Sequence, residues 1–531
     1  MASTIPRTAL IITFAVAMTA VGTGCDESCA FDFRCPVQVE LPGPGGSGGA
    51  GGEGGGGGVG GCPADPADGP VAADCGVWVA ASWGSDEKPG SQAEPVATLA
   101  QAITLAKAGK GQIYACGETF AEAVEVPSGV SIAGGFSCTG GSWVYEGEEK
   151  PAILAPARPG LVALTLLSGE RESRFTDLEV ASPDAVEPGA SSIAIVAHEE
   201  ANVTIQRARV ISGNGADGAD GEDGGHDGAP APSGLSGNDG ANACTADPGL
   251  GGMAVTLDCD GIATAGGSGG NGGEVIANDG ASGLPLPGAD PPSDGVGGEG
   301  ESAVDGTMCT GGAHGKPGGN GIDGAGGKGR GTIGEYGYFG AAGEDGFPGT
   351  PGQGGGGGGG SLGGGVCGGA PHGGAGGGSG GTGGCGGKPG KGGQGGGSSI
   401  GILVLGPSVS LLDVTLVPGN GGKGGRGGAS QLGGQGGFPG LGGLGFGGGI
   451  GVKPGCHGGA GGQGGNGGNG GGGRGGHSVG IALKEGIKLR FDDAIVLPVG
   501  VQGDGADGGN PSLTGSRGDD GIAADKLTFP K

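Results

Sequence analysis

The chain has 531 residues, 153 of them glycine, and aromatic residues make up only 4%. Too little large apolar material is present to fill a thick globular core, and 34 prolines are far fewer than a collagen triple helix takes alongside its glycine. A net charge of −28 disfavours nucleic acid and anionic membranes as direct partners and suits a solvated exterior.

Arg7 precedes an apolar run at 9–21, too short to span a bilayer but of the length of a signal-peptide core. The run ends at Val21-Gly22-Thr23-Gly24-Cys25, small residues before a cysteine, which resembles a bacterial lipobox. The resemblance implies a signal peptide at 1–24 and lipidation of Cys25, although Gly22 stands where that pattern usually has leucine. The membrane is then reached only through a lipid anchor, and the expected address is the bacterial cell envelope, at the outer membrane or cell surface. Ordinary secretion, with Cys25 a thiol, is the alternative. Assigning Cys25 to lipid leaves 12 of the 13 cysteines, an even number, and an exported protein meets oxidising conditions. Candidate disulfide partners are Cys29, Cys35, Cys62, Cys75, Cys116, Cys138, Cys244, Cys259, Cys367 and Cys385, with Cys309 and Cys456 also in glycine-rich sequence. No CxxC spacing occurs, and Cys456-His457 reads as an incidental neighbour pair rather than a metal site.

A cysteine-bearing segment at 25–40 leads into a Gly/Pro-rich tether at 41–75. Its glycine-rich part, 41–61, has a typical span of roughly 25 Å, at about 5–6 Å × √n. Order is expected from 76. Val77-Trp78-Val79 reads as a strand. The segment 95–108 reads as a helix, with Leu99, Ala102, Ile103 and Ala106 on one face, Pro95 at its start and Gly109 at its end. Strands follow at 112–116, 121–126 and 130–136. The order of Trp78-Val79, Gly84-Ser85-Asp86, the Ala102-Ile103 helix, Ile113-Tyr114, Gly117-Glu118-Thr119-Phe120 and Val130-Ser131-Ile132-Ala133-Gly134-Gly135 resembles the uncharacterised domain that opens many pectate-lyase-like right-handed β-helices. The match covers 77–136 and implies a fold, not a reaction. Cys116 and Cys138, 138 − 116 = 22 positions apart, could stack on neighbouring turns of such a coil.

The stretch 191–218 recurs at 398–424 and 477–505, each copy an alternating apolar segment, a bend, a second such segment and a glycine-rich run. Stacking of the copies makes Ile193, Ile195, Val203 and Ile205 core, with equivalents Ile400, Ile402, Val409 and Leu411, and Val479, Ile481, Ile487 and Leu489. The expected class is therefore all-β: a right-handed parallel β-helix, pectin-lyase-like, at 76–212 with its capping helix, continued by rungs at 398–418 and 477–500. Glycine-rich insertions occupy 213–397, 419–476 and part of 501–531. Glycine recurs at every third position at Gly215, Gly218, Gly221 and Gly224, and elsewhere as Gly-Gly-X. Three residues is the pitch of a polyproline-II helix. A polyglycine-II-like bundle and a hydrated, disordered plume are both open, because ordering glycine costs about 1–2 kcal/mol per residue. Phe438, Leu441, Leu444 and Phe446 could line a seam of such a bundle. In composition and in the repeated rung, the chain resembles glycine-rich, PGRS-type bacterial surface proteins.

Catalytic patterns are sparse. Asp492-Asp493 lacks a partner histidine, His198 sits singly in a bend, and the six histidines are scattered. The run Gly318–Asp323 matches only the opening of a calcium-binding nonapeptide, and Asp217, Asp220, Asp223 and Asp227 form an acidic ladder without its framework. No catalytic, cofactor or metal residue is assigned; weak surface Ca²⁺ binding is the most these oxygens suggest. The expected function is a non-enzymatic envelope protein presenting glycine-rich loops for adhesion, matrix contact or surface structure, with glycans or matrix components as partners. A carbohydrate-active enzyme and an ice- or flat-surface-binding bundle are the alternatives.

Overall fold

The computed structural model describes residues 62–225, 228–288, 293–368, 373–447, 451–492, 495–496 and 499–530. The expected signal peptide, Cys25, Cys29, Cys35 and the tether through 61 lie outside the described residues, as do Asp227 and Asp493.

The helix α1 runs Leu99–Ala108, four residues later than the periodicity suggested at its start. Its start is fixed by acceptors. Asp86 takes the N–H groups of Ala97 and Thr98, the Thr98 hydroxyl takes that of Gln101, and Glu122 takes those of Leu99 and Ala100. Nearly every N–H left without an intrahelical partner is thereby met. Pro95 and Val96 stay extended, and Val96 bridges to Val79. The buried face of α1 joins a core with Val79, Ile113, Phe120 and Val124.

Two sheets enclose that core. The larger is 11-stranded, with the main order Val77–Val79, Gln112–Cys116, Ser131–Ser137, Gly169–Ser182, Ala201–Ser212, Val409–Pro418 and Arg490–Asp492. The smaller is 6-stranded, in the order Val124–Val126, Leu164–Leu166, Ser192–Ala197, Ser399–Val404, Ser478–Lys484 and Ala523–Phe529. The repeated stretches pair parallel and in register: Ile193 with Ile400 and then Val479, Ile195 with Ile402 and then Ile481, and Val203 with Val409, Ile205 with Leu411. The third copy slips by two. Leu411 pairs with Phe491 rather than Leu489, and Ile487 and Leu489 are only partly buried against the core.

Alternation also fails at one point. Ile195, Ile402 and Ile481 face the shared core, but Ile193, Ile400 and Val479 pack on the other side, with Tyr338 and Phe529. The outer face is covered by the hairpin Thr332–Gly334/Gly337–Phe339, which belongs to the glycine-rich region and folds back onto this sheet. A parallel sheet covered on both faces reads as a continuous apolar run.

The expectation of an all-β, right-handed β-helix is corrected by this architecture. The described residues are mixed, 25% strand and 6% helix, and the two parallel sheets curve as a half-barrel. The physical reason is glycine. Most of the chain satisfies its backbone outside any sheet ladder.

The glycine-rich regions form an ordered bundle of extended segments. Three successive residues donate in three directions: Gly377 to the Gly270 carbonyl, Gly378 to Cys456, Ser379 to Asn238, after which Gly380 returns to Gly267. This is a three-residue helical repeat in which each N–H finds a different neighbour. Segments run away from the sheets and back. At about 3.1 Å per residue, 373–397 spans roughly 75 Å.

Glycine density reports depth in the bundle. The edge segment 213–225 needs one glycine in three, and Gly215, Gly218, Gly221 and Gly224 donate to Asn420, Lys423, Arg426 and Ala429. In 419–445 two rows of glycine face neighbours: a Cβ on Gly425 would sit 1.9 Å from the Ala219 carbonyl oxygen, and one on Gly424 2.0 Å from that of Gly473. At 354–360 the sequence is glycine without interruption, since neighbours lie on every side; a Cβ on Gly359 would meet the Glu299 oxygen at 1.8 Å and one on Gly358 the Cys456 oxygen at 2.2 Å. The same segment is Gly-X-X at 343–352, because the short segments of 266–301 lie only against its remote half.

Candidate interaction surface on the glycine bundle

The third position of each Gly-Gly-X unit in 419–445 points to solvent, and every third residue from Lys423 forms one exposed row: Lys423, Arg426, Ala429, Leu432, Gln435, Phe438, Leu441 and Leu444. The row is cationic near the sheets and apolar further out. Phe438 is 77% exposed and Leu444 68%. These side chains were expected to line a seam; they stand instead on the outside, because a three-residue repeat puts i and i+3 on one face.

An outward-facing N–H at such a position lacks a neighbouring segment, and side chains supply the acceptor. The Oδ1 atoms of Asp217, Asp220 and Asp223 accept from the N–H groups of Lys423, Arg426 and Ala429 at 2.6, 2.7 and 2.7 Å. Asp239 and Asn242 do the same for Leu441 and Leu444. The acidic ladder is thus a set of backbone caps. Asn320 and Asp323, in the calcium-like run, cap Asn466 and Asn469 in the same way.

Where the segments turn, far from the sheets, the loops carry more exposed apolar side chains: Val275, Ile276, Val304, Met308, Val366 and Phe446. Two of the loops touch where Ala303 donates to the Val275 carbonyl, and the turn that carries Phe446 is closed by its bridge to Val452. Disulfides brace this end: Cys244–Cys367 and Cys309–Cys456, with Cα atoms 5.1 and 5.9 Å apart. Further in, Cys259–Cys385 ties the hairpin Thr256–Cys259/Ile262–Ala265 to a long segment. In the sheet body Cys62 pairs with Cys75, and Cys116 with Cys138 as its spacing suggested. Five disulfides indicate an oxidising, extracytoplasmic setting.

Arg207, Asp177, Asp65 and Tyr145 form one interior network. Arg207 makes paired hydrogen bonds to Asp177 (2.8 and 2.9 Å) and to Asp65 (2.9 and 2.8 Å), and the Tyr145 hydroxyl donates to Asp177 at 2.9 Å. Asp177 is fully buried. Burial pushes the Asp65 carboxyl up, but its bonds from Arg207 and Ala67 prevail and hold it below the usual range. This network pins the loop closed by Cys62–Cys75 to the larger sheet, and sequence spacing carries no sign of it, since the partners are far apart in the chain.

His477 is buried. Its Nδ1 accepts from the Ile522 N–H, so Nε2 carries the proton and donates to the Arg330 carbonyl. Burial, helped by the Arg474 and Arg330 charges and opposed by the Arg330 hydrogen bond, pushes its imidazole down to about 4. His198 is half-buried, 4.0 Å from Glu335. His457 accepts from the Gly442 N–H, while Cys456 beside it is in a disulfide. Two groups have metal-like clustering among the described residues, Cys62/Asp74/Cys75 and Cys116/Glu118/Cys138, and in each the thiols are consumed as disulfides. Asp492-Asp493 is not described as a pair, because Asp493 lies outside the described residues.

Among the described residues no helix is long and apolar enough to cross a membrane. No family model, curated protein or solved structure matches this chain.

Proposed function

We propose that this chain is an exported, non-enzymatic cell-envelope protein that holds a rigid glycine bundle outward for contact with a matrix or another cell surface. The observation that carries the reading is the distribution of exposed large apolar side chains. Most of those in the described residues lie in the glycine-rich regions rather than on the sheets, and the solvent row and the remote loops each gather a group of them. Apolar clusters of this kind on an otherwise solvated protein mark contact surfaces. The backbone caps and disulfides hold the rows in fixed positions, so a partner would meet a prepared surface at little entropic cost. Attachment through a lipid on Cys25 is supported by the Val21–Cys25 pattern.

The test replaces Val304, Met308 and Phe446 with serine in the full-length protein displayed on its host cell, and measures adhesion to cells and to matrix preparations. The reading expects adhesion to fall at unchanged display level and melting temperature. Unchanged adhesion removes the remote loops as the contact surface. Mass spectrometry of the mature amino terminus checks the anchor: a diacylglyceryl mass on Cys25 is expected, and a bare thiol would refute it.

A further inference from the structure

A second surface lies on the sheet body, with no lining residue from the glycine-rich inserts. The ends of the strands Val77–Val79, Gln112–Cys116 and Ser131–Ser137 and the loops that follow them surround a cavity whose lining includes Trp83, Glu118, Ser137, Thr139, Gly140 and Lys150. Its water-accessible volume is about 300 Å³, at the small end of the range for ligand pockets. The Cys116–Cys138 disulfide forms part of its wall and locks two of the strand ends together.

Trp83 and Glu118 are held in place before any ligand arrives. Trp83 sits in a turn closed by the Gly84 N–H to the Ala80 carbonyl at 2.9 Å. A side chain at Gly84 would collide with the Val96 carbonyl oxygen at 2.1 Å, so the turn cannot shift. Trp78 is wholly buried, and Trp143 is half-buried with its indole N–H given to Gln92. Trp83, packed against Trp143 at 6.2 Å between ring centroids, is the one tryptophan left 39% exposed. Glu118 is clamped by the Ser82 N–H and hydroxyl, one on each carboxylate oxygen. Each oxygen keeps a further lone pair. Lys150 is exposed and has no ion-pair partner among the described residues.

We propose that this cavity binds a neutral pyranose unit of a glycan. An aromatic side chain beside a fixed carboxylate and a free ammonium matches a ring with an apolar C–H face and a rim of hydroxyls. The two charges select against other occupants. Glu118 repels an anionic sugar, Lys150 repels a cation that would otherwise stack on the indole, and a hydroxyl-rich neutral ring can donate to the first and accept from the second. The site is independent of the bundle.

The experiment titrates the full-length protein with neutral, uronic-acid and amino-sugar oligosaccharides, read by tryptophan fluorescence and calorimetry. Saturable binding of neutral oligosaccharides is expected, weakened about tenfold or more by Trp83→Ala and by Lys150→Met. Lys150 is exposed and outside the core, so its variant keeps the test valid if Trp83→Ala does not fold. Binding should survive the serine substitutions at Val304, Met308 and Phe446. Absence of binding across the panel, preference for the charged sugars, or unchanged affinity in both variants would each overturn the proposal.

Discussion

At the scale of single residues, Arg207, Asp177 and Asp65 work as a fixed network. Arg207 and Asp177 occupy adjacent strands in register, and both adopt left-handed backbone conformations, at φ 47° and 55°. Arg207→Ala leaves the Asp177 carboxylate buried and unpaired, and should cost about 3–5 kcal/mol by urea unfolding. Adding Asp177→Asn should return part of that loss. His477 contributes a pH dependence whose sign follows from its hydrogen bonds. Its folded pKa of about 4 lies below the ordinary 6.5, so the stabilisation is complete above about pH 6.5 and is lost as pH falls towards 4, up to about 3 kcal/mol. Asp65, also depressed, adds a loss only at still lower pH, below its ordinary 3.8. Melting temperature should therefore drop between pH 7 and 4.5, and His477→Gln, which keeps a donor for the Arg330 carbonyl, should flatten that drop. Little of this was legible in the chain. His477 looked like one scattered histidine among six, and Asp65 like part of a tether, because each acquires its role from a segment far away in sequence.

At the scale of elements, the repeated stretches were readable because parallel pairing preserves their order. Ile195, Ile402 and Ile481 stack as their shared pattern implied. What the pattern could not carry is the cover over Ile193, which is a hairpin at 332–339 arriving from within a glycine insert. The bundle offers a sharper test. Gly359 and Gly319 both lie in extended glycine-rich segments, but a Cβ on Gly359 meets the Glu299 carbonyl oxygen at 1.8 Å, whereas one on Gly319 has nothing closer than the Thr350 hydroxyl at 3.7 Å. Gly359→Ala should disrupt the local packing and open the remote half to protease. Gly319→Ala should be neutral or stabilising by about 0.4–1 kcal/mol, because it narrows only the unfolded ensemble. Equal effects in thermal melting and limited proteolysis would mean that glycine density does not report depth.

At the scale of the whole molecule, a core between two sheets supports a bundle that has almost no apolar interior of its own. Its order rests on backbone hydrogen bonds in three directions and on cross-links that close very long loops. Cys244–Cys367 spans 123 residues and Cys309–Cys456 spans 147. Each such bond should be worth about 4–5 kcal/mol through the unfolded chain. Removing Cys244 and Cys367 together by serine substitution should loosen the bundle while the sheets, with Cys116–Cys138 intact, melt near their original temperature. Composition already suggested three-residue helices, but it left order and disorder undecided. The balance depends on which segments meet, and both the backbone partners and the cysteine pairs that decide it are distant in sequence.

The most direct measurement is amide hydrogen exchange on the intact, oxidised protein. Residues 354–360 and 376–384, enclosed on all sides by other segments, should exchange among the slowest in the chain, comparably to the strands Ser192–Ala197 and Ser399–Val404. Exchange of these glycines at the rate of an unstructured peptide, with only the sheets protected, would contradict the ordered bundle on which the proposed contact surface depends.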